Sequence, residues 1–332
     1  MDDISEEVLT AFLNEFRLFP DGLTPETLMQ RAAVDEAALP RIRERLEQDG
    51  FTFEIGAEGR WFLHEKPDIL LPYWVRAGLR CDRLGQQVYY QPEVASTQDI
   101  AFEMMVEGRP HGTLVLTEHQ TGGRGRSERV WHSNPGQSLL FSLLLDLEPP
   151  DTFASVLTIA IASATARAIQ DVAGVPAHIK FPNDIEVHSK KVAGILLEVR
   201  DYGVPRRAVA GVGINVNQLE SDLDPEIQEF ATSLREERRD KEPVRRARLL
   251  RHVLRGLEKW LDLIAQGEYR DLEAAWNRFS SMEGKEIRFL RGSEEVTGRV
   301  LGATIREGLL VRLPSGEKRQ FRLEHVSDVR FP

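Results

Sequence analysis

The sequence predicts a multidomain α+β protein: an N-terminal winged helix, a central mixed α/β sheet and a small C-terminal β-barrel. Three observations carry this. Residues 1–70 read as three short amphipathic helices and a hairpin, 76–280 mixes strand-like and helix-like runs, and 282–332 reads as short strands alone. At 332 residues the chain has length for two or three cores.

In the first segment Val8, Leu9, Phe12, Leu13 and Phe16 share one helical face after Ser5, a natural N-cap. Thr24-Pro25-Glu26 opens a second helix, with cap residue and proline in the preferred order. A third follows Asp35 with Leu39, Ile42 and Leu46 inward, and "FTFEIGAEGRWFL" reads as a hairpin about a glycine-bounded turn. In the second segment "QVYYQPEV", "GTLVLTEHQ", "SLLFSLLLDL" and "RRAVAGVGINVN" are strands. "HIKFPNDIEVHSKKVAGILLEV" is a pair of strand-like halves. "DTFASVLTIAIASATARAIQDVAG" is a buried helix closed by Gly174. "PVRRARLLRHVLRGLEKWLDLI" is an amphipathic helix with Leu250, Leu254, Leu257 and Leu261 inward, and its arginines are expected on a solvated face. From Met282, "EIRFLRG", "VTGRVLGATI", "GLLVRLPSG" and "KRQFRLE" are the strands of the barrel.

Composition narrows the function classes. The formal net charge is -10, against general affinity for nucleic acid. The lone Cys81 excludes an internal disulfide and fits a reducing, cytoplasmic setting. The acidic start MDDISEEV is unlike a signal peptide, and no apolar run is expected to span a membrane. No P-loop, no G-x-S-x-G elbow and no H-E-x-x-H are present, so no protein-held metal is assigned. His119 and His132, beside the glycine-arginine stretch described next, are expected to be structural or exposed.

"TEHQTGGRGRSERVWHSNPGQS" (117–138) interrupts two apolar strands. Its glycines expose backbone N–H groups, and its arginines are planar bidentate donors, a composition suited to a carboxylate or phosphate. Flexible surface loops and RNA-binding stretches share that composition. Ser96-Thr97-Gln98 follows a strand and suits a polar ligand group. Lys180 stands just before the Pro182 turn. Gly194, Gly211 and Gly213 would let a flat ligand lie on strand backbone.

In this order the motifs resemble those of the biotin–protein ligases, the three-domain bacterial type with an N-terminal winged helix. The family pattern S-T-N, G-R-G-R-x-G-R-x-W, K-W-P-N-D, K-[LIV]-x-G-I-L-x-E and G-[IVA]-G-[IL]-N is matched at 96–98, 123–131, 180–184, 191–198 and 211–215. Gln98 replaces the Asn, Glu128 a Gly and Phe181 the Trp. The resemblance spans essentially the whole chain. It implies an SH3-like C-terminal barrel, ATP-dependent formation of biotinyl-5′-AMP with Mg²⁺, and transfer to a lysine of a biotin carboxyl carrier domain. Lys180, Arg124 and Arg126 are implied as the catalytic cations. Biotin is implied against Ser96, Thr97, Gln98, Gln120, Gly123, Arg124, Gly125, Arg126, Lys180, Gly194, Gly211 and Gly213. ATP is implied against Arg126, Arg129, Trp131, Asn183, Lys191 and Asn215. The arginine loop is expected to act as a lid over the acyl-adenylate.

Lipoate–protein ligase is the alternative within the same chemistry. The resemblance also leaves open a homodimer and repression at operator DNA. Arg41, Arg43 and Arg45 in the third helix are the candidate DNA contacts. Against them, residues 1–68 carry 16 acidic and 7 basic side chains, and Pro40 removes a helix hydrogen bond. A winged helix that only packs against the ligase is the other outcome.

Overall fold

The computed structural model describes residues 4–125, 129–146, 154–181, 183–200, 207–280 and 282–330. Helix α1 (Glu6–Leu18) is capped by Ser5, and α2 (Pro25–Ala32) by Thr24, whose hydroxyls accept from the Val8 and Thr27 amides. Helix α3 is Ala38–Gln48, and β1 (Thr52–Ile55) pairs antiparallel with β2 (Trp61–Glu65). Phe12 packs edge to face against Phe16, Phe53 and Trp61 at this junction, and Phe53 lies tilted against Phe16 and Trp61. Pro40 is the third residue of α3 and does not break it. The N–H it lacks belongs to the first turn, which has no intrahelical acceptor.

A short helix α4 (Pro72–Arg76) leads into a seven-stranded sheet. Its first unit is parallel: β3 (Val88–Val94), the crossover helix α5 (Thr97–Val106) and β4 (Leu114–Gln120). Strand β5 (Ser138–Asp146) runs antiparallel to β4 and is buried along nearly its whole length. Helix α6 (Ala154–Ala173) follows. Then β6 (His178–Lys180), β7 (Asp184–Val187), β8 (Lys190–Arg200) and β9 (Arg207–Asn215) complete the sheet by antiparallel pairing. The spatial order is β3-β4-β5-β9-β8-β7-β6. Ala101, Phe102 and Met105 of α5 pack on Val115, Leu144 and Val209, on one face of the sheet. Leu114, Leu116, Leu143 and Leu145 belong to the main core with α6 and two later helices, α8 (Arg246–Ala265) and α9 (Arg270–Ser280); a short α7 (Leu234–Glu237) lies between β9 and α8. The chain ends in a five-stranded antiparallel sheet of β10 (Glu286–Arg291), β11 (Glu294–Thr304), β12 (Gly308–Arg312), β13 (Lys318–Phe321) and β14 (Ser327–Arg330), in the order β13-β12-β11-β10-β14.

Helix α6, read from the sequence as a buried helix, is among the described residues the one long and apolar enough to cross a membrane by length and composition, and 72% of that stretch is buried inside the protein, against the sheet and α8. One sequence expectation is corrected here. The arginines of α8 do not all lie on a solvated face: Arg246 and Arg251 are 1% and 4% exposed. Both are covered by α4 and the connector between β2 and α4 (residues 66–71), which pack on a second side of α8. Arg246 is paired with Asp68 and Glu118, and Arg251 donates to the Trp74 carbonyl at 2.8 Å.

Cys81 is buried, and its thiol is pushed up to about 12 by burial and by Glu258. The neutral thiol is therefore retained well above neutral pH. A thiolate-selective reagent at pH 8 should leave the native protein unmodified and react once the chain is unfolded; rapid native labelling would contradict the assigned burial.

Candidate functional site

Strands β4, β5, β8 and β9 and the N-terminus of α5 line a cleft. Ser96 ends the β3–α5 turn, and its Oγ accepts from the Gln98 amide, so Thr97 and Gln98 occupy the first turn of α5. Helix N-termini present unpaired N–H groups and favour anions. The Thr97 amide and hydroxyl both donate to Gln120 Oε1, at 2.8 and 3.0 Å, and the Thr97 and Ser142 hydroxyls lie 2.9 Å apart. Ser142 donates to Gln98 Oε1 at 3.1 Å, while Gln98 Nε2 donates to Glu198 at 3.0 Å and to the Val209 carbonyl at 3.2 Å. The extra methylene of Gln98 thus carries its amide into a buried network that joins α5 to β5, β8 and β9.

The glycine-arginine segment folds back on itself beside this network. Trp131 N–H donates to the Gly123 carbonyl, Gly125 N–H to the Arg129 carbonyl, and Arg124 bridges Val130. A Cβ on Gly123 would come within 2.7 Å of the Trp131 carbonyl, so this turn requires glycine there. Arg124 is held by both oxygens of Asp99 in the first turn of α5. Arg126 and Glu128 lie outside the described residues.

Gly194, Gly211 and Gly213 face the cleft, and side chains of the chain itself lie on them. A Cβ on Gly213 would meet the Trp131 ring at 2.5 Å, one on Gly194 at 3.0 Å, and one on Gly211 would meet Gln98 Oε1 at 2.5 Å. Trp131 Nε1 is buried without an acceptor among the described residues.

The implied cations are also redistributed. Lys180 does not line the cleft. Strand alternation turns Ile179 inward and Lys180 outward, and its ammonium sits 2.6 Å from Glu186. Lys191 does line it, 2.8 Å from Asp184 and 5.5 Å from the Trp131 ring centroid. Asn183 is at the cleft, with its amide donating to the Ile195 carbonyl at 2.8 Å. Asn215 is not among the lining residues: it is buried, donating to the Thr232 carbonyl at 3.1 Å, and ties the end of β9 to the following segment. Arg129 is exposed and outside the lining set. Of the two flanking histidines, His119 is 2.9 Å from Glu93 and His132 3.7 Å from Asp224. Sequence reasoning missed Asp184, Ser142 and Glu198. The first stood in the quoted K-F-P-N-D run, and the second was the polar interruption of an otherwise apolar strand.

Residues 90–215 match the family model described as "Biotin/lipoate A/B protein ligase family", a span that contains every residue lining this cleft. The chain is also 34% identical over 278 residues to the bifunctional ligase/repressor BirA of Bacillus spizizenii, covering 83% of this chain and 85% of that one. The chain belongs to the biotin/lipoate A/B protein ligase family. Within the family, it is 30% identical over 195 residues to the biotin–[acetyl-CoA-carboxylase] ligase of Mycobacterium tuberculosis, covering 56% of this chain and 68% of the relative. Its fold matches the biotin protein ligase of Aquifex aeolicus in complex with biotin and ATP, with a TM-score of 0.64, 26% identity, and coverage of 74% and 100%. The family relation agrees with the chemistry of the cleft: a helix N-terminus and a lysine at an enclosed polar wall suit an acid and a nucleotide.

Proposed function

We propose that this ligase activates biotin with ATP and transfers the biotinyl group to a lysine of a biotin carboxyl carrier domain. The observation that carries the reading is the placement of Lys191 beside the Thr97–Gln120–Ser142–Gln98 network, inside the segment shared with the family. In the first step a carboxylate oxygen of biotin attacks the α-phosphorus. An O–P bond forms, the bond to pyrophosphate breaks, and the mixed anhydride biotinyl-5′-AMP results. The acid is already ionised at pH 7, since carboxyl groups titrate near about 4, so no general base is needed. The requirement is positive charge where two anions meet. Lys191 supplies it at the cleft, with Arg124 steered by Asp99; Arg126 enters the proposal as a further cation of the lid.

Among the described residues no group of three or more His, Cys, Asp or Glu is placed to hold a metal. Mg²⁺ in this reading arrives on the ATP phosphates, with Asp184 as the carboxylate at hand, in keeping with the habit of Mg²⁺ of binding through phosphates and one or two carboxylates. When bound it neutralises the departing pyrophosphate.

In the second step the neutral amine of the acceptor lysine attacks the acyl carbon and AMP leaves. Only about one free lysine in 2,500 is neutral at pH 7. A cationic site enlarges that fraction by disfavouring the ammonium form. The reading places the enzyme in the cytoplasm with ATP and its carrier. Incubation with biotin, ATP and Mg²⁺ should yield biotinyl-5′-AMP by mass spectrometry, and a modified lysine once a carrier domain is added. Absence of the adenylate in the first mixture would overturn the proposal.

A second reading, a biotin-responsive repressor acting as a homodimer on operator DNA, is favoured by the winged helix and by the name of the Bacillus relative. On α3, Arg41 is exposed, whereas Arg43 and Arg45 pair with Glu47 and Asp49 one turn on, at 3.3 and 3.1 Å.

A further inference from the structure

Cations gather where the N-terminal helices meet the catalytic layer. Arg17 lies in the last turn of α1, Lys66 and Arg80 flank α4, and Arg245, Arg248, Arg251 and Arg255 descend α8. The steps of three and four along α8 keep them on one side. The Arg17 guanidinium lies against Gly78, where a Cβ would come within 2.1 Å of its Nε. Arg245 donates to the Lys66 carbonyl at 2.5 Å, and Arg255 to the Arg251 carbonyl at 3.1 Å. Arg251, almost fully buried, rests 5.3 Å above the Trp74 ring.

Among the described residues none of these side chains has a carboxylate within 4.0 Å; Glu258, on the turn after Arg255, is turned to the Asp82, Arg83 and Leu84 amides. Asp171, the carboxylate felt by His252 on the same helix, is paired with Arg167. The cations act on one another instead. Burial first, then Arg17, Arg255 and Arg248, hold Arg251 down to about 9, and Arg17 and Lys66 are depressed in the same way.

We propose that this junction is a contact surface for the phosphate backbone of duplex DNA. The inference rests on the repressor reading and adds a surface that runs from the end of α1 onto α4 and α8. Residues 1–68, with 16 acidic and 7 basic side chains, are poor in the phosphate contacts that DNA binding needs; Arg80, Arg245, Arg248 and Arg255 add cations beside Arg17 and Lys66. From Arg245 to Arg255 the stripe runs about 15 Å along the helix axis. That is longer than a single phosphate requires, and it suits successive phosphates of one strand. It also adjoins α3, whose C-terminal Asp49 accepts from the Tyr73 hydroxyl of α4 at 2.7 Å.

The test is the salt dependence of binding to a labelled duplex several turns long, read by fluorescence anisotropy on the full chain. The double variant Arg80→Ala/Arg248→Ala removes two exposed phosphate contacts and should make the log–log salt slope shallower by about 1.8. Arg312→Ala, on β12, should leave it unchanged. An unchanged slope in the double variant overturns the proposal. So does binding of inorganic tripolyphosphate by the parent protein without any salt-dependent binding of duplex. If Arg41→Ala loses duplex binding while the double variant keeps its slope, the repressor reading stands and this surface falls. Biotin-dependent AMP formation by the same preparations shows that the variants are folded.

Discussion

Lys191→Ala should lower biotin-dependent adenylate formation by about 100- to 1,000-fold, the usual loss when one preorganised donor to a developing charge is removed. Lys191 is the lysine that lines the cleft, 2.8 Å from Asp184, where the two anionic substrates are proposed to meet. Its partner is not a rival for long. An exposed or half-exposed ion pair contributes about 0–1 kcal/mol, less than the triphosphate offers. Lys180→Ala is the matched control. Lys180 is on the outer side of β6 with Glu186, and its loss should change the rate by less than about threefold, an exposed pair being worth about 0–1 kcal/mol. Initial rates of AMP formation on both variants decide the matter. A larger loss in Lys180→Ala than in Lys191→Ala would return the role to the lysine that the sequence resemblance implied.

Arg246→Met should cost about 3 kcal/mol or more, because removing one partner of a buried pair strands the other. Arg246 is 1% exposed. Its amide and Nε bond Asp68 at 2.8 and 2.9 Å, and Nη1 reaches the Glu118 carboxylate and the Ser138 carbonyl. Burial opposes the charge, but Asp68 and Glu118 outweigh it and hold the guanidinium above its ordinary value. The same carboxylates are committed elsewhere: Glu118 accepts from the Leu70 amide and Asp68 from Asn217. The variant therefore leaves two carboxylates short of charge at the connector. Urea unfolding followed by tryptophan emission should show an earlier first transition, and adding Glu118→Gln should restore part of the loss. An unmoved midpoint in Arg246→Met would show that the pair contributes nothing net.

Much of this was written locally. Ser5 and Thr24 announce the starts of α1 and α2, and both act as the caps their positions suggest. The strands around the cleft follow from apolar alternation and from polar or glycine breaks. Helix α5 is less legible: Ser96 is a natural N-cap, but Ser96-Thr97-Gln98 reads equally well as a run of polar ligand contacts. The inward turn of Arg246 and Arg251 was illegible, because helical period shows one buried face and cannot show that a connector covers a second. Trp131 over Gly194 and Gly213 was hidden for a related reason. The glycines advertise a close approach without naming what approaches, and the partner comes from a loop some 60 to 80 positions away in sequence. Lys180 was separable in principle: the alternation His178-Ile179-Lys180 puts the lysine opposite the buried isoleucine.

The most direct measurement of the central claim is ATP–pyrophosphate exchange with biotin and with lipoate supplied separately. The account predicts exchange that depends on biotin, is lost in Lys191→Ala, and is at background with lipoate. Exchange supported by lipoate and not by biotin would contradict it, as would biotin-dependent exchange that persists undiminished without Lys191.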